Sequence, residues 1–304
     1  MKILLVNKYL YRKGGAETYF IKLGEYLKSL GNEVEYFGMA DERNCVGNRV
    51  EAYTENIDFH KKSLKHITYP FKIIYSVNAR KQIRKVLSDF KPDVVHLNNF
   101  NYQLTPSIIY EIKKHNIPIV YTAHDVQLVC PNHKLKNDYT GGLCRKCDGG
   151  KYFECVKNNC VHSSKIRSII GAVEAWYYKL RHTYKMIDLT VCPSEFMEKE
   201  ISRNDDINGR TVTMYNFIDE IKPLGAECEN YVLYFGRYSE EKGISNLVKA
   251  TKKLSNIPFV FAGKGELENE VNSADNIKNV GFKTGDELRN IIAVSYTHLR
   301  AHET

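Results

Sequence analysis

The chain opens with the segment KILLVNKYLYRKGGAE, residues 2–17, and this segment decides the fold. Its apolar start, residues 3–6, predicts a short buried strand, and a loop with two glycines follows. Apolar side chains then recur at the three- and four-residue steps of a helix: Phe20, Leu23, Leu27 and Leu30. Gly31 stands where a helix stop is expected, and residues 33–37 are a second strand candidate. The chain therefore begins with a strand–helix–strand unit.

Strands and helices alternate in the same way along residues 1–216, which we expect to form the first domain. The expected helices lie near 70–88, 106–114 and 164–185, and the expected strands near 94–97, 117–122 and 189–192. This alternation argues for a parallel sheet with helices on both faces. Residues 126–162 interrupt it, because they are rich in Cys, Gly, Asn and Lys and show no period, so we interpret them as an insertion.

A second αβ unit follows a polar linker at 217–230 and spans residues 231–294. Its strands are expected near 231–237, 259–262 and 278–281, and its helices near 242–254, 266–273 and 284–293. The unit is short for a wound domain, which usually has about 100–150 residues. The sequence thus predicts an α/β fold of two Rossmann-like, doubly wound domains that face a cleft, the second of them incomplete.

The composition and the short apolar runs argue against a disordered, fibrous, membrane-spanning or secreted protein. With 43% hydrophobic and 26% charged residues, the chain has the composition of a globular protein. Its apolar runs are far shorter than the ~18 residues of a membrane span. The apolar start runs directly into Asn7 and Lys8, unlike a secretory signal. We therefore expect a cytoplasmic protein.

The positive charge of the chain is concentrated in one stretch. Lys and Arg number 44 and Asp and Glu 36, so the net charge is +8. Nine of the basic residues lie between His60 and Lys91, with Asp89 as the only acid. Such a stretch suits phosphates or an anionic membrane, although a solvated helix face fits equally well. Nucleic acid is the weaker choice of partner, because no nucleic-acid-binding motif is present.

Two motifs of the first domain follow predicted strands. The loop Gly14-Gly15-Ala16-Glu17 opens the first helix, and its glycines and free amides would let the backbone approach an anion. A tight turn without a ligand explains the same residues. His124 ends a strand beside Asp125, where a histidine can contact a sugar hydroxyl or act in acid–base chemistry. A histidine held by Asp125 alone is the structural alternative.

The third motif, Gly236-Arg237-Tyr238-Ser239-Glu240-Glu241-Lys242-Gly243, follows the first strand of the second unit. Arg237 can bind two oxygens of a diphosphate at once, and Lys242 can add a point charge. Two surface cations beside Glu240 and Glu241 are the alternative explanation.

Together with Tyr121-Thr122-Ala123-His124-Asp125, these motifs resemble those of family 4 glycosyltransferases of the GT-B fold, over about residues 1–294. The resemblance implies a retaining, metal-independent hexosyltransferase that moves a sugar from a nucleotide-diphosphate sugar to an acceptor. It implies that Gly14, Gly15, Glu17, Arg237 and Lys242 bind the donor, and that His124 acts at the reacting carbon. A role in polysaccharide or glycolipid assembly follows. The basic stretch and the amphipathic helix at 164–185 would suit a glycan or lipid-linked acceptor on the inner face of an anionic membrane.

The chain departs from the family in its last part. The Glu-x7-Glu acidic motif, which in the family contacts the donor sugar and ribose, is absent, so we expect this chain to be inactive. Residues 295–304 do not resemble the family. They resemble a translated adapter sequence, and we set them apart from the fold.

Five of the eight cysteines fall between Cys130 and Cys160. Four of them form C-x2-C and C-x4-C pairs: Cys144, Cys147, Cys155 and Cys160. In a cytosolic chain this spacing predicts a structural zinc site better than disulfides, with Cys130 or His133 as replacements for one ligand. Free thiols, and disulfides in an oxidised sample, remain open.

Two other functions are compatible with the sequence. The first is a nucleotide-sugar epimerase of the same fold. The second is a non-enzymatic binding module in which a zinc knuckle sits on an α/β scaffold.

Overall fold

The computed structural model describes residues 1–56, 69–137, 142–207, 209–217 and 229–299. The chain divides into two compact units, Met1–Phe217 and Ile218–Thr304. Each is built on a parallel sheet covered by helices. This confirms the mixed α/β fold class.

The first unit contains a six-stranded parallel sheet in the order β2-β1-β3-β4-β5-β6. Its strands are β1 (Lys2–Val6), β2 (Glu33–Phe37), β3 (Val94–Leu97), β4 (Ile119–Thr122), β5 (Leu189–Cys192) and β6 (Thr211–Thr213). Its helices are α1 (Gly15–Ser29), α2 (Tyr69–Ile74), α3 (Val77–Phe90), α4 (Ser107–Lys114), α5 (Phe153–Lys157), α6 (Lys165–Leu180) and α7 (Glu195–Ile201).

The continuous apolar run of β1 is explained by burial on both faces. Leu4 and Val6 join a core with α3 and α4, whereas Ile3 and Leu5 pack with Phe20 of α1. Successive side chains of a strand point to opposite faces, so a strand with helices on both sides is apolar throughout.

The second unit repeats this arrangement around a four-stranded parallel sheet, ordered β10-β7-β8-β9. Its strands are β7 (Glu229–Phe235), β8 (Phe259–Ala262), β9 (Ile277–Asn279) and β10 (Ser295–Leu299), and its helices are α8 (Ile244–Lys253), α9 (Glu268–Val271) and α10 (Gly285–Val294). Tyr234 packs with Val248 of α8, and Leu233 on the other face packs with Ile292 of α10.

Several boundaries differ from the prediction. The helix candidates expected over 70–88 are two helices, and Ser76 caps the second by accepting a hydrogen bond from the Ala79 amide at 3.1 Å. The helix expected at 164–185 ends at Leu180, and His182 takes a left-handed conformation with φ of 48°. The short strand β6 and helix α5, within the insertion, were not predicted. Most of the expected linker, residues 218–228, lies outside the described residues, and its last two residues belong to β7.

The segment that the sequence analysis set apart from the fold contains a strand. Ser295–Leu299 pairs in parallel with β7. The physical reason is that β7 offers unpaired backbone groups at its edge, and residues 295–299 include an aromatic and a β-branched residue suited to a strand.

The basic stretch at 60–91 is used partly for folding. Lys61, Lys62 and Lys65 lie outside the described residues. Arg80 and Arg84 of α3 both bind the Glu111 carboxylate of α4, at 2.7 and 2.6 Å, so they are not available as free phosphate ligands. Within the described residues, every helix is too short or too polar to span a bilayer.

Glu111→Gln tests this ion pair. Glu111 is 2% exposed, and its arginine partners, Arg84 first, lower its pKa to about 2. A lowered pKa adds stability above pH 4.5 that is lost as the pH falls towards 2. We therefore expect the free energy of unfolding to drop by about 2 kcal/mol at pH 7, with a smaller difference at pH 3, in urea titrations.

The matched control is Glu25→Gln, because the Glu25–Arg12 pair is exposed on both sides and should contribute little. Equal effects of the two substitutions, or an effect of Glu111→Gln that is independent of pH, would contradict the assignment.

Candidate functional site

The two units place comparable loops at comparable points of their sheets. β1 lies between β2 and β3, and β7 lies between β8 and β10. In open α/β sheets, ligands bind beyond the carboxyl end of a strand flanked in this way. The loop after β1 carries Gly14 and Gly15. The loop after β7, residues 236–243, carries Arg237 and Lys242.

Gly15 begins α1 and has free space around it. A Cβ atom built at Gly15 would meet no atom within 4 Å, and the backbone there does not need glycine. Gly14 caps the helix in an extended conformation, and its carbonyl accepts hydrogen bonds from Thr18. The fold therefore leaves Gly15 unexplained, which fits a loop that a ligand approaches closely.

Glu17 points inward in the first turn of α1. It is buried, and its Oε2 would lie 3.3 Å from a Cβ atom at Gly14. A carboxylate in the first turn of a helix is stabilised by the helix dipole. The position of Glu17 in the first turn of α1 accounts for it without a ligand, and its role in donor binding stays a prediction.

His124 follows β4 and lies close to the start of α1. Its Nε2 is 2.9 Å from Asn98 Oδ1, and its ring meets the Tyr19 ring edge-on at 5.4 Å. Tyr19 belongs to α1, so that helix joins the glycine loop to His124. Asn98 is buried, and its Nδ2 has no hydrogen-bond partner among the described residues.

A second histidine lies on the neighbouring strand. His96 Nε2 is 2.7 Å from Thr122 Oγ1. Burial, with a smaller contribution from His124, lowers the pKa of His96 to about 4, so it is neutral at physiological pH. Thr122 also shares a hydrogen bond with Tyr19, whose pKa burial raises.

Five polar side chains form a further group, the strand-edge cluster: Lys8, Asn101, Asp125, His133 and Glu174. Asn101 is at its centre. Its Oδ1 accepts from Lys8 Nζ at 3.0 Å, and its Nδ2 is 3.4 Å from Asp125 Oδ2 and 3.3 Å from His133 Nδ1. His133 Nδ1 is itself 3.5 Å from Asp125.

Burial and pairing set the charges of this cluster. Burial lowers the pKa of Lys8 to about 8 and raises the pKa of Glu174 to about 7. Burial alone would lower the pKa of His133, but the Asp125 charge and hydrogen bond, together with the Glu174 charge, outweigh it and the pKa is raised. Asp125 has a lowered pKa despite its burial, because of His133. The cluster holds a stable His133–Asp125 ion pair beside two groups that titrate near neutral pH.

The sequence analysis named only some of the polar residues at the carboxyl edge of the first sheet. Asn98 and Asn101 follow β3, and the same strand-end rule that identified His124 could have found them. Glu174 could not have been found, because it reaches the edge from α6. His133 was considered only as a replacement for one zinc ligand, whereas its Nδ1 lies 3.5 Å from Asp125 Oδ2 and its ring stacks on Tyr102 at 5.7 Å.

The loop after β7 is held in place by its backbone and by Tyr238. The buried Tyr238 hydroxyl donates to Asn279 Oδ1 at 3.0 Å, and its amide donates to the Lys264 carbonyl. A Cβ atom at Gly263 would lie 1.9 Å from the Gly236 carbonyl oxygen, so only glycine fits this contact. The loop is therefore rigidly placed.

The polar side chains of the loop after β7 differ in whether they have hydrogen-bond or ion-pair partners. Arg237 is exposed and forms no ion pair with another described residue. Ser239 is buried, and its Oγ has no hydrogen-bond partner among the described residues. Lys242 closes a short 3-10 turn, after which Gly243, with φ of 71°, opens α8. Glu240 accepts a hydrogen bond from Ser245 of α8 instead of pairing with Arg237.

Five cysteines line one small cavity in the insertion: Cys130, Cys144, Cys147, Cys155 and Cys160. Burial raises the pKa of Cys147 to about 12, so its thiol is neutral. In the part of the chain that the structure describes, no three His, Cys, Asp or Glu side chains are arranged to hold a metal ion. His133, which the sequence suggested as a replacement ligand, is not among the residues that line this cavity.

Comparisons with known proteins agree with this architecture. The family model described as Glycosyltransferase Family 4 matches residues 13–221, and the model of Glycosyl transferases group 1 matches residues 217–295. An uncharacterised 42.6 kDa protein from the cps region of Klebsiella pneumoniae is 26% identical over 95% of this chain and 74% of its own length.

Two solved structures are similar in fold. Sucrose-phosphate synthase from Thermosynechococcus elongatus has a TM-score of 0.62 at 14% identity, over 98% of this chain and 74% of its own. Anabaena HepE in complex with UDP and glucose has a TM-score of 0.57 at 16% identity, over 98% and 73%. The match of the first model to more than half of the residues, in a chain with two parallel αβ units, shows that this protein belongs to glycosyltransferase family 4 and has a GT-B fold.

Proposed function

We propose that this chain is a retaining, metal-independent hexosyltransferase that uses a nucleotide-diphosphate sugar. The observation that carries the proposal is the loop after β7. There the exposed Arg237 guanidinium, the buried Ser239 hydroxyl and Lys242 precede the amino terminus of the ten-residue helix α8. Family membership supports glycosyl transfer in general, and HepE, of similar fold, is described in complex with UDP-glucose.

In this proposal the loop stabilises the leaving group. The bond between the anomeric carbon and the phosphate oxygen breaks, and the nucleoside diphosphate gains negative charge. Arg237 and Lys242 would bind that charge, and a contact of this kind typically contributes about 3–4 kcal/mol to a transition state. The acceptor oxygen would bond to the anomeric carbon from the same face and pass its proton to a phosphate oxygen of the leaving group.

The first unit would supply the acceptor side. His124, held by Asn98, would contact the transferred sugar near the reacting carbon, and Gly15 would let its loop close over the donor. We propose a glycan or a lipid-linked glycan as the acceptor, in polysaccharide assembly on the cytoplasmic face of a membrane. The amphipathic helix α6 supports this choice.

We propose further that the 304-residue chain binds donor but transfers sugar poorly. No two glutamates in residues 229–304 stand eight positions apart, so the carboxylates that hold the donor sugar in the family have no counterpart. Donor binding is therefore the direct readout of the site.

Arg237→Ala tests the diphosphate site. We expect the Kd for UDP, or for GDP or ADP if that is the base bound, to rise about 10- to 100-fold in calorimetric titration, since a charge-assisted bidentate contact is lost. Arg289→Ala, which removes a guanidinium from α10, should leave the Kd unchanged. An unchanged Kd in Arg237→Ala, with measurable binding in the parent, would contradict the proposal.

Gly15→Ala separates ligand approach from folding. Since a Cβ atom at Gly15 has no neighbour within 4 Å, we expect the melting temperature to stay the same or to rise slightly. We expect intact UDP-sugar to bind at least about tenfold more weakly, because the methyl group blocks the backbone. Gly142→Ala, which also has free space, should change neither property. Full donor binding by Gly15→Ala would show that the glycine serves only the turn.

Structural zinc stays a prediction, supported by five thiols around one cavity. Metal analysis of protein purified under reducing conditions should give about one zinc per chain, the stoichiometry of one tetrahedral site. Cys144→Ser/Cys147→Ser should abolish it, and Cys45→Ser, outside the cavity, should not. Reduced protein that contains no zinc would contradict this prediction.

A further inference from the structure

Helix α6 carries an apolar stripe on its exposed side. Its members are spaced three, four, three and four residues apart: Ile166, Ile169, Val173, Trp176 and Leu180, exposed by 72, 44, 42, 37 and 79%. The opposite side of the helix packs inward through Ser168, Ala172 and Tyr178. A continuous exposed stripe of large apolar side chains indicates an interaction surface.

The charged side chains around the stripe are mostly basic. α6 contains Lys165, Arg167 and Lys179, and Arg181 follows at its C-cap. Its one acid, Glu174, belongs to the strand-edge cluster and interacts with His133, on the inner side of the helix. No acid of α6 is therefore left among the described residues to offset these cations at the surface.

Acids on the neighbouring elements are already neutralised. Glu154 of α5 pairs with Lys157 at 3.0 Å, and Asp148, in the turn packed against α6, pairs with Arg203. α5 adds a further apolar side chain, Phe153, which is 54% exposed. The surface around α6 thus combines apolar side chains with positive charge.

We propose that α6 docks on an anionic lipid bilayer, with the apolar stripe buried in the interfacial region and its cations among the headgroups. Amphipathic helices with basic polar sides bind membranes in this way. A second copy of the chain is the less suitable occupant, because antiparallel pairing of two α6 helices would bring Lys165 of one close to Lys179 of the other.

Trp176 fits this location. An indole prefers the boundary between lipid and water, and its Nε1 already donates to the Gly150 carbonyl at 3.0 Å, so its ring can enter lipid without an unsatisfied donor. The helix is also fixed in place: Ser164 caps it, and the Tyr178 hydroxyl donates to the Ile74 carbonyl. The surface is therefore preformed.

This inference goes beyond the proposed transferase activity, since lipid binding is measured without donor or acceptor. Trp176 is the only tryptophan of the chain, so its emission reports on α6 directly. We expect vesicles of phosphatidylcholine with 30% phosphatidylglycerol to shift the emission to the blue and to sediment the protein. Vesicles of phosphatidylcholine alone should do neither, and 0.5 M NaCl should weaken binding at least about tenfold.

The decisive variant is Ile169→Ser/Val173→Ser, which keeps Trp176 as the reporter. Its partition coefficient should fall at least about tenfold, because two apolar side chains no longer enter lipid. Val77→Ser is the matched control: Val77 is 71% exposed but lies on α3, so binding should be unchanged. Thermal melts verify that both variants are folded.

Two results would overturn the proposal. The first is that Ile169→Ser/Val173→Ser binds anionic vesicles as well as the parent. The second is that the parent ignores such vesicles while light scattering reports a dimer that this double variant abolishes, which would make a second copy the occupant.

Discussion

Burial of both faces of two strands is the constraint on which the rest of the structure depends. β1 and β7 are each covered by helices on either side, so each must lie inside a parallel sheet. Parallel strands carry all their carboxyl ends to one edge, and strands on both sides of β1 and β7 open a space beyond them. The glycine loop and the Arg237 loop are the segments that follow these strands, so each loop is placed by the packing of the core of its own unit.

Each unit has its own carboxyl edge, and the two edges differ in chemistry. In the second unit, a closely packed backbone presents the exposed Arg237 guanidinium ahead of a helix amino terminus, which suits a diphosphate. In the first unit, the edge is lined by amides, imidazoles and carboxylates whose charges nearly balance. Such groups suit neutral hydroxyls better than phosphates. The division matches a reaction in which one partner brings the negative charge and the other brings a hydroxyl.

Much of this architecture could be predicted from the sequence, because the signals are local. Apolar runs marked the strands, and His124 and Arg237 were proposed as site residues because each lies just beyond the end of one. Contacts between distant segments gave no such signal: Glu174 reaches the edge from α6, and His133 turns to Asp125 instead of the cysteines. Nor does the charge of the basic stretch indicate that Glu111 engages Arg80 and Arg84. The strand at 295–299 was missed because resemblance to a family carries no information on residues outside it.

Hydrogen–deuterium exchange with and without UDP tests the central claim most directly. If the loop after β7 holds the diphosphate, amides in 236–246 should exchange more slowly with UDP and not with uridine, which has the same base but no phosphate. The account would be contradicted if UDP bound to the protein without slowing exchange in this loop. It would also be contradicted if uridine slowed that exchange as much as UDP does.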